Sequence, residues 1–120
     1  VDADCRAFIE NMDEMYAWAD FVICRAGAMT VAELSVVGLG SLLVPFPFAV
    51  DDHQTTNAAY LADSCAAYLE QQKTLTVEKL VKILSGLSRK VCLEMAERAR
   101  ALGKPEATVD VARICMGVAV

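Results

Sequence analysis

Basic charge is scarce in this chain: 11 Lys and Arg stand against 16 Asp and Glu, a formal charge of −5. No basic stripe is available for a nucleic acid, which excludes that class of partner. Histidine occurs once, at His53. Without a second His, the neighbouring Asp51 and Asp52 make a poor metal site, because adjacent loop residues rarely converge on one ion. The five cysteines, Cys5, Cys24, Cys65, Cys92 and Cys115, are odd in number and never spaced C-x-x-C. That spacing excludes a disulfide framework and a zinc site, and leads us to expect reduced core thiols in a cytoplasmic protein. Long apolar runs are also lacking. The longest, residues 36–50, is interrupted by Gly38, Gly40, Pro45 and Pro47, so no transmembrane helix is expected, and peripheral membrane contact stays open. Asp2, Asp4 and Glu10 fall where a signal peptide would need its apolar stretch, so none is expected. Neither G-x-G-x-x-G nor a Walker lysine is present, which excludes a dinucleotide or ATP loop.

What is there is a chain of 120 residues, 56% hydrophobic, a length of one domain or less. The apolar share is above the roughly 45–50% usual for soluble domains. It fits a helix-rich α/β core, or apolar surface that meets another part of the same protein. The pattern alternates strand and helix. Cys5–Ile9 reads as a short strand and Met12–Ala19 as an acidic helix. Phe21–Cys24 is an unbroken apolar strand, Gly27 turns it into a helix over Ala28–Val37, and Gly38 stops that helix. Ser41–Val44 is a second buried strand, ended by Pro45. A loop over 46–53 leads into a helix over Gln54–Ala62, with Tyr60 and Leu61 facing inward, and a weaker strand follows at Ala66–Leu69. Thr76 caps a helix expected to bury Val77, Leu80, Val81 and Leu84. A further helix runs to Leu102 with Val91, Met95 and Ala99 on one face, and a last one ends in Ile114–Val120. The order predicts an α/β fold, a partial doubly wound parallel sheet with helices on both faces. With three or four strands, it reads as half of a complete domain.

The stretch Ile23–Asn57 carries the chemistry, since ligands of open α/β sheets sit at the carboxyl ends of the strands. Gly27 has two readings: an ordinary turn glycine, or the approach to a helix start whose amides at Ala28, Met29 and Thr30 hold a phosphate. By spacing alone Thr30 and Glu33 make a capping box. If the helix begins at Ala28, Glu33 is instead released toward the ligand edge, where a carboxylate suits the two hydroxyls of a ribose. Arg25 is a solvated strand-end charge or a phosphate-side cation. Asp51 or Asp52 caps the helix starting near Gln54, or else the Asp51–Gln54 cluster recognises sugar hydroxyls. Asn57, one turn on, is assigned a structural role in its helix.

YAWADFVICRAGAMTVAEL, followed by VPFPFAVDDHQTTNA, resembles the family of bacterial inverting glycosyltransferases that add N-acetylglucosamine to lipid I. The likeness runs from about Phe8 to the end, including MAERARALGKPEAT. The resemblance implies the second half of the carboxyl-terminal, Rossmann-like domain of a GT-B transferase: residues 1–120 as part of the UDP-sugar-binding domain, with carboxyl-terminal helices from about residue 76. It implies UDP-N-acetylglucosamine as donor substrate and no metal or other cofactor. Ile9 is expected beside the uracil, Arg25 near the nucleotide, and Gly27, Ala28, Met29 and Thr30 at the diphosphate. Glu33 is expected on the ribose and His53 with Gln54 on the sugar, which reverses the capping-box reading. The acceptor, lipid I, is expected to bind an amino-terminal domain outside this chain, in a protein peripheral to the cytoplasmic face of the inner membrane. No catalytic residue and little or no transferase activity are expected of this chain alone. A donor-binding subunit completed by a separate acceptor-domain partner, and another UDP-sugar enzyme such as an epimerase, are the alternatives. Three positions depart from the family's usual residues. Ala26 stands for Ser, with the expected loss of a hydroxyl near the phosphates; Gly40 stands for a common Pro and Phe48 for a frequent His.

Overall fold

In the computed structural model, which describes residues 3–48 and 52–103, the elements follow one another as helix α1 (Met12–Trp18), strand β1 (Phe21–Cys24), α2 (Ala28–Val37), β2 (Gly40–Leu43), α3 (His53–Ala62), β3 (Ala67–Leu69), α4 (Val77–Ser85) and α5 (Arg89–Leu102). The expected final helix and Asp51 lie outside the described residues. The strand expected at Cys5–Ile9 does not form; these residues are irregular and mostly exposed. Its five residues pair with no strand, and an isolated extended segment has no ladder to hold it.

The sheet has order β1-β2-β3 and both pairings are parallel. Register places Val22, Ser41 and Ala67 side by side, then Ile23, Leu42 and Tyr68, then Cys24, Leu43 and Leu69. Because side chains alternate along a strand, Val22, Cys24, Leu43, Ala67 and Leu69 share one face. That face joins Val31 and Leu34 of α2, Ala58 and Leu61 of α3 and Ala99 of α5 in the hydrophobic core. The opposite face is less covered. Leu42 is wholly buried there, whereas Ile23 and Tyr68 are 48% and 37% exposed.

Local chemistry sets the helix ends. Gly38 closes α2 with φ 79°, the left-handed conformation in which glycine carries no penalty. Thr76 and Ser88 accept from the amides of Lys79 and Val91 at 3.2 and 3.1 Å, capping α4 and α5. The carboxyl end of α5 is pinned by the Tyr60 hydroxyl, which donates to the Leu102 carbonyl at 3.1 Å, and by Arg100, which donates to the Val36 carbonyl. Gly103 fits because a Cβ there would run into the carbonyl of Ser35. Gly40 likewise makes room for α5: a Cβ would lie 2.8 Å from Met95 Cβ.

Several burial expectations change. The apolar stripe of α4 faces outward: Val77, Val81 and Leu84 are exposed, and Leu80 is only half-buried. Periodicity identifies a stripe but not what covers it: among the described residues, Leu84 alone of the stripe borders the apolar cleft formed with Trp18, Phe21 and Ile23. Tyr60 is exposed while Leu61 is wholly buried, since the phenol spends its hydroxyl on α5. Cys5 and Cys65 are exposed, and Cys24 and Cys92 only half-buried, all four as free thiols. No helix among the described residues is long and apolar enough to cross a membrane.

Candidate functional site

Two crossovers bring α2 and α3 to the carboxyl edge of the sheet, and the loop after β2 lies between them. Gly27 is the N-cap of α2, so Thr30 is its third residue and Glu33 lies in the second turn. The capping box is therefore absent: a box needs Thr at the cap and Glu three residues on. No side chain caps this helix, and the first intrahelical bond runs from the Val31 amide to the Gly27 carbonyl at 3.0 Å. The amides of Ala28, Met29 and Thr30 precede that bond and have no acceptor within the helix. Gly27 has φ −62° and ψ 150°, a conformation open to any residue, so the turn itself does not require glycine. A Cβ there would meet only Thr30 Oγ1, at 3.9 Å. The glycine keeps the approach to the helix start open rather than making the bend.

The loop before α2 is fastened to α3. Gln54 Oε1 accepts from the amides of Ala26 at 3.2 Å and Phe46 at 2.8 Å, and Asn57 Nδ2 donates to the Ala26 carbonyl at 3.1 Å. Both main-chain polar groups of Ala26, a residue with no exposed surface, are thus satisfied from one helix. Asn57 ties two elements together, a role beyond its own helix. Gln54 has its carbonyl end committed to backbone, which leaves the amide NH₂ as the end for a ligand. The Ala26 side chain lies in the hydrophobic core, so the expected loss of a phosphate contact there does not hold: a hydroxyl at that position would face inward.

Arg25 Nη1 reaches the carbonyls of Val44 and Pro45, both at 3.4 Å, and its guanidinium stands 5.7 Å from the Phe46 ring. This cation–π contact and the long carbonyl contacts fold Arg25 toward the end of β2. Phe48 is 81% exposed and meets Phe46 edge-on, with centroids 5.7 Å apart. Asp52 is the N-cap of α3 with φ 51°, yet its side chain caps no amide and accepts from Thr55 Oγ1 at 2.6 Å. The helix accordingly begins at His53, one residue earlier than expected, with His53 exposed. A polar cavity of about 510 Å³ adjoins this end, lined by Pro47, Asp52, Gln71, Gln72 and Lys73.

Glu33 lines a second cavity, about 420 Å³, between α1 and α2. Tyr16 of α1 donates its hydroxyl to Glu33 Oε2 at 3.1 Å. The Tyr16 phenol is pushed up to about 12, first by burial and then by the hydrogen bond and charge of Glu33. Burial likewise raises the Cys24 thiol. Ile9 lines an apolar cleft with Trp18, Phe21, Ile23 and Leu84, which shares Met12 and Tyr16 with the Glu33 cavity. The structure thus gathers Gly27, Ala28, Met29, Thr30, Glu33 and Gln54 at one edge, with Arg25 and His53 flanking them and Ile9 in the cleft next to the Glu33 cavity. Tyr16, Asn57 and the Gln71–Lys73 loop were not selected from sequence. Only contacts across 17 to 31 residues of chain reveal Tyr16 and Asn57. Among the described residues no three His, Cys, Asp or Glu side chains are grouped to hold a metal.

The chain matches the profile of the glycosyltransferase family 28 C-terminal domain over residues 2–111. It is 60% identical over 112 residues to the UDP-N-acetylglucosamine--N-acetylmuramyl-(pentapeptide) pyrophosphoryl-undecaprenol N-acetylglucosamine transferase of Burkholderia multivorans, covering 93% of this chain and 30% of that protein. The protein of the same name from Paraburkholderia xenovorans is 56% identical over 118 residues, covering 98% and 32%. The crystal structure of Acinetobacter baumannii MurG superposes with a TM-score of 0.86 at 47% identity, over 89% of this chain and 31% of that one. The chain therefore spans about a third of the length of these relatives.

Proposed function

The chain belongs to the glycosyltransferase family 28 C-terminal domain family, and from that premise we propose that it forms the later part of the donor-binding domain of a transferase that moves N-acetylglucosamine from its UDP ester to lipid I, making lipid II for peptidoglycan. The observation that carries this reading is the uncapped start of α2 at the carboxyl edge of a parallel sheet, with Glu33 one turn along the same helix. Displacing the sugar from UDP builds negative charge on the departing diphosphate. Oriented amides at a helix start stabilise such charge without reorganising. In this reading the amides of Ala28, Met29 and Thr30 take that role, no metal is called for, and the bare Gly27 lets the phosphates approach.

Glu33 accepts hydrogen bonds from the ribose hydroxyls, Ile9 borders the uracil, and Arg25 lies on the nucleotide side. His53 and the amide NH₂ of Gln54 face the sugar. A base for the acceptor hydroxyl and the lipid I site belong to an acceptor-binding domain, with the complete protein peripheral at the inner face of the membrane. This chain alone, supplied with donor and acceptor, turns over neither.

Calorimetric titration of the chain with UDP and UDP-N-acetylglucosamine tests the reading. Saturable binding of both is expected, weakened about tenfold or more by Glu33→Ala, in line with loss of charge-assisted hydrogen bonds. No saturable binding, or equal binding by the variant, would refute it.

A further inference from the structure

The donor-site reading assigns Glu33 to the ribose but leaves open what orients its carboxylate. Glu33 stands exposed on α2, and a glutamate there has three rotatable bonds. Tyr16 removes much of that freedom. It comes from a different element, 17 residues earlier, and its hydroxyl donates to Oε2 at 3.1 Å. The ring sits in the wall of the groove between α1 and α2, with Met12 beside it and Met29, Val36 and Val37 opposite. The phenol is half-buried, and burial together with the Glu33 charge keeps it protonated, hence a donor, across the ordinary pH range. A carboxylate offers about four lone-pair sites. With one taken by Tyr16, Oε1 and the remaining site on Oε2 stay available for a pair of adjacent hydroxyls. Asp13, the other carboxylate in the groove, has no such tie to Glu33.

We infer that Tyr16 is a positioning residue that fixes the Glu33 carboxylate for recognition of the 2′- and 3′-hydroxyls of the nucleotide ribose, an inference that rests on the donor-site reading above. It gives α1, which contributes no other residue to the α2 edge of that reading, a part in substrate selection. Tyr16→Phe deletes one oxygen and keeps the ring in its groove.

The test compares UDP with 2′,3′-dideoxy-UDP by calorimetry on the 120-residue chain. The unaltered chain is expected to prefer UDP. Tyr16→Phe is expected to weaken UDP about fivefold to tenfold, within the net worth of one hydrogen bond, and to leave the dideoxy ligand unchanged. Glu33→Gln should lose the same preference, and Tyr16→Phe added to it should have no further effect. Undiminished preference for UDP in Tyr16→Phe overturns the inference, as does an equal loss for both ligands. Additive effects of the two substitutions overturn it also, including where Tyr16→Phe lowers stability. Failure of the unaltered chain to bind UDP overturns the donor site itself. Equal binding of both nucleotides by the unaltered chain overturns the ribose role of Glu33, and Tyr16's role with it.

Discussion

Replacing Asn57 by Ala should loosen the loop that feeds α2, and the size of the effect follows from what is left behind. The Ala26 carbonyl accepts from Asn57 Nδ2 at 3.1 Å, and Ala26 has no exposed surface. Truncation leaves that carbonyl buried without its donor, which costs about 1–3 kcal/mol rather than the smaller net value of an average hydrogen bond. For a chain of 120 residues each kcal/mol lowers Tm by about 4 °C. Asn57→Asp is the sharper perturbation. It keeps the shape but sets an acceptor against an acceptor at the same distance, so it should destabilise more than Asn57→Ala. Urea unfolding followed by circular dichroism measures both, with an unchanged m-value showing that the folded state stays compact. Amide exchange at Ala26, whose N–H is held by Gln54 at 3.2 Å, should quicken in both variants, since it shares the clamp. An Asn57→Ala change within about 0.5 kcal/mol of the parent, the usual span of a surface substitution, would refute the reasoning. So would an Asn57→Asp variant no less stable than Asn57→Ala.

Gly40→Ala should destabilise the fold by about 1–3 kcal/mol, the usual cost of overpacking, because the new Cβ would lie 2.8 Å from Met95 Cβ. Met95→Ala keeps that carbon and should not relieve the strain; a thermally neutral Gly40→Ala would show that α5 yields freely. Alkaline titration should find Tyr16 ionising near pH 12, above its ordinary 10.0. Its folded value is raised, so the stabilisation is complete below pH 10 and is lost as pH rises through 12. Glu33→Gln should lower that midpoint only part of the way, because burial is the larger cause and remains. A spectrophotometric midpoint at the ordinary value would disprove the coupling.

The local grammar of the chain was legible residue by residue. Apolar runs at Phe21–Cys24, after Gly38 and at Ala66–Leu69 marked all three strands of the sheet, Thr76 gave a cap, and the motif around Ile23–Asn57 gave the family, because each depends on neighbours in sequence. The misplaced strand at Cys5–Ile9 and the outward stripe of α4 have a common cause. Both depend on a partner layer, and composition does not reveal whether one is present. The Thr30–Glu33 pair shows how far spacing alone reaches at the site: it fits a capping box, but Gly27, not Thr30, is the N-cap, and the helix starts two residues before Thr30.

By itself, then, the sequence determined the order of strands and helices and the family, since those follow from periodicity and from a specific motif. Only the tertiary structure decided which side chains hold the carboxyl edge of the sheet in place. Tyr16 meets Glu33, and Gln54 and Asn57 grip Ala26, through contacts between segments far apart in the chain. Hydrogen bonds of that kind are fixed by how helices pack on the sheet, and no local pattern encodes their distances.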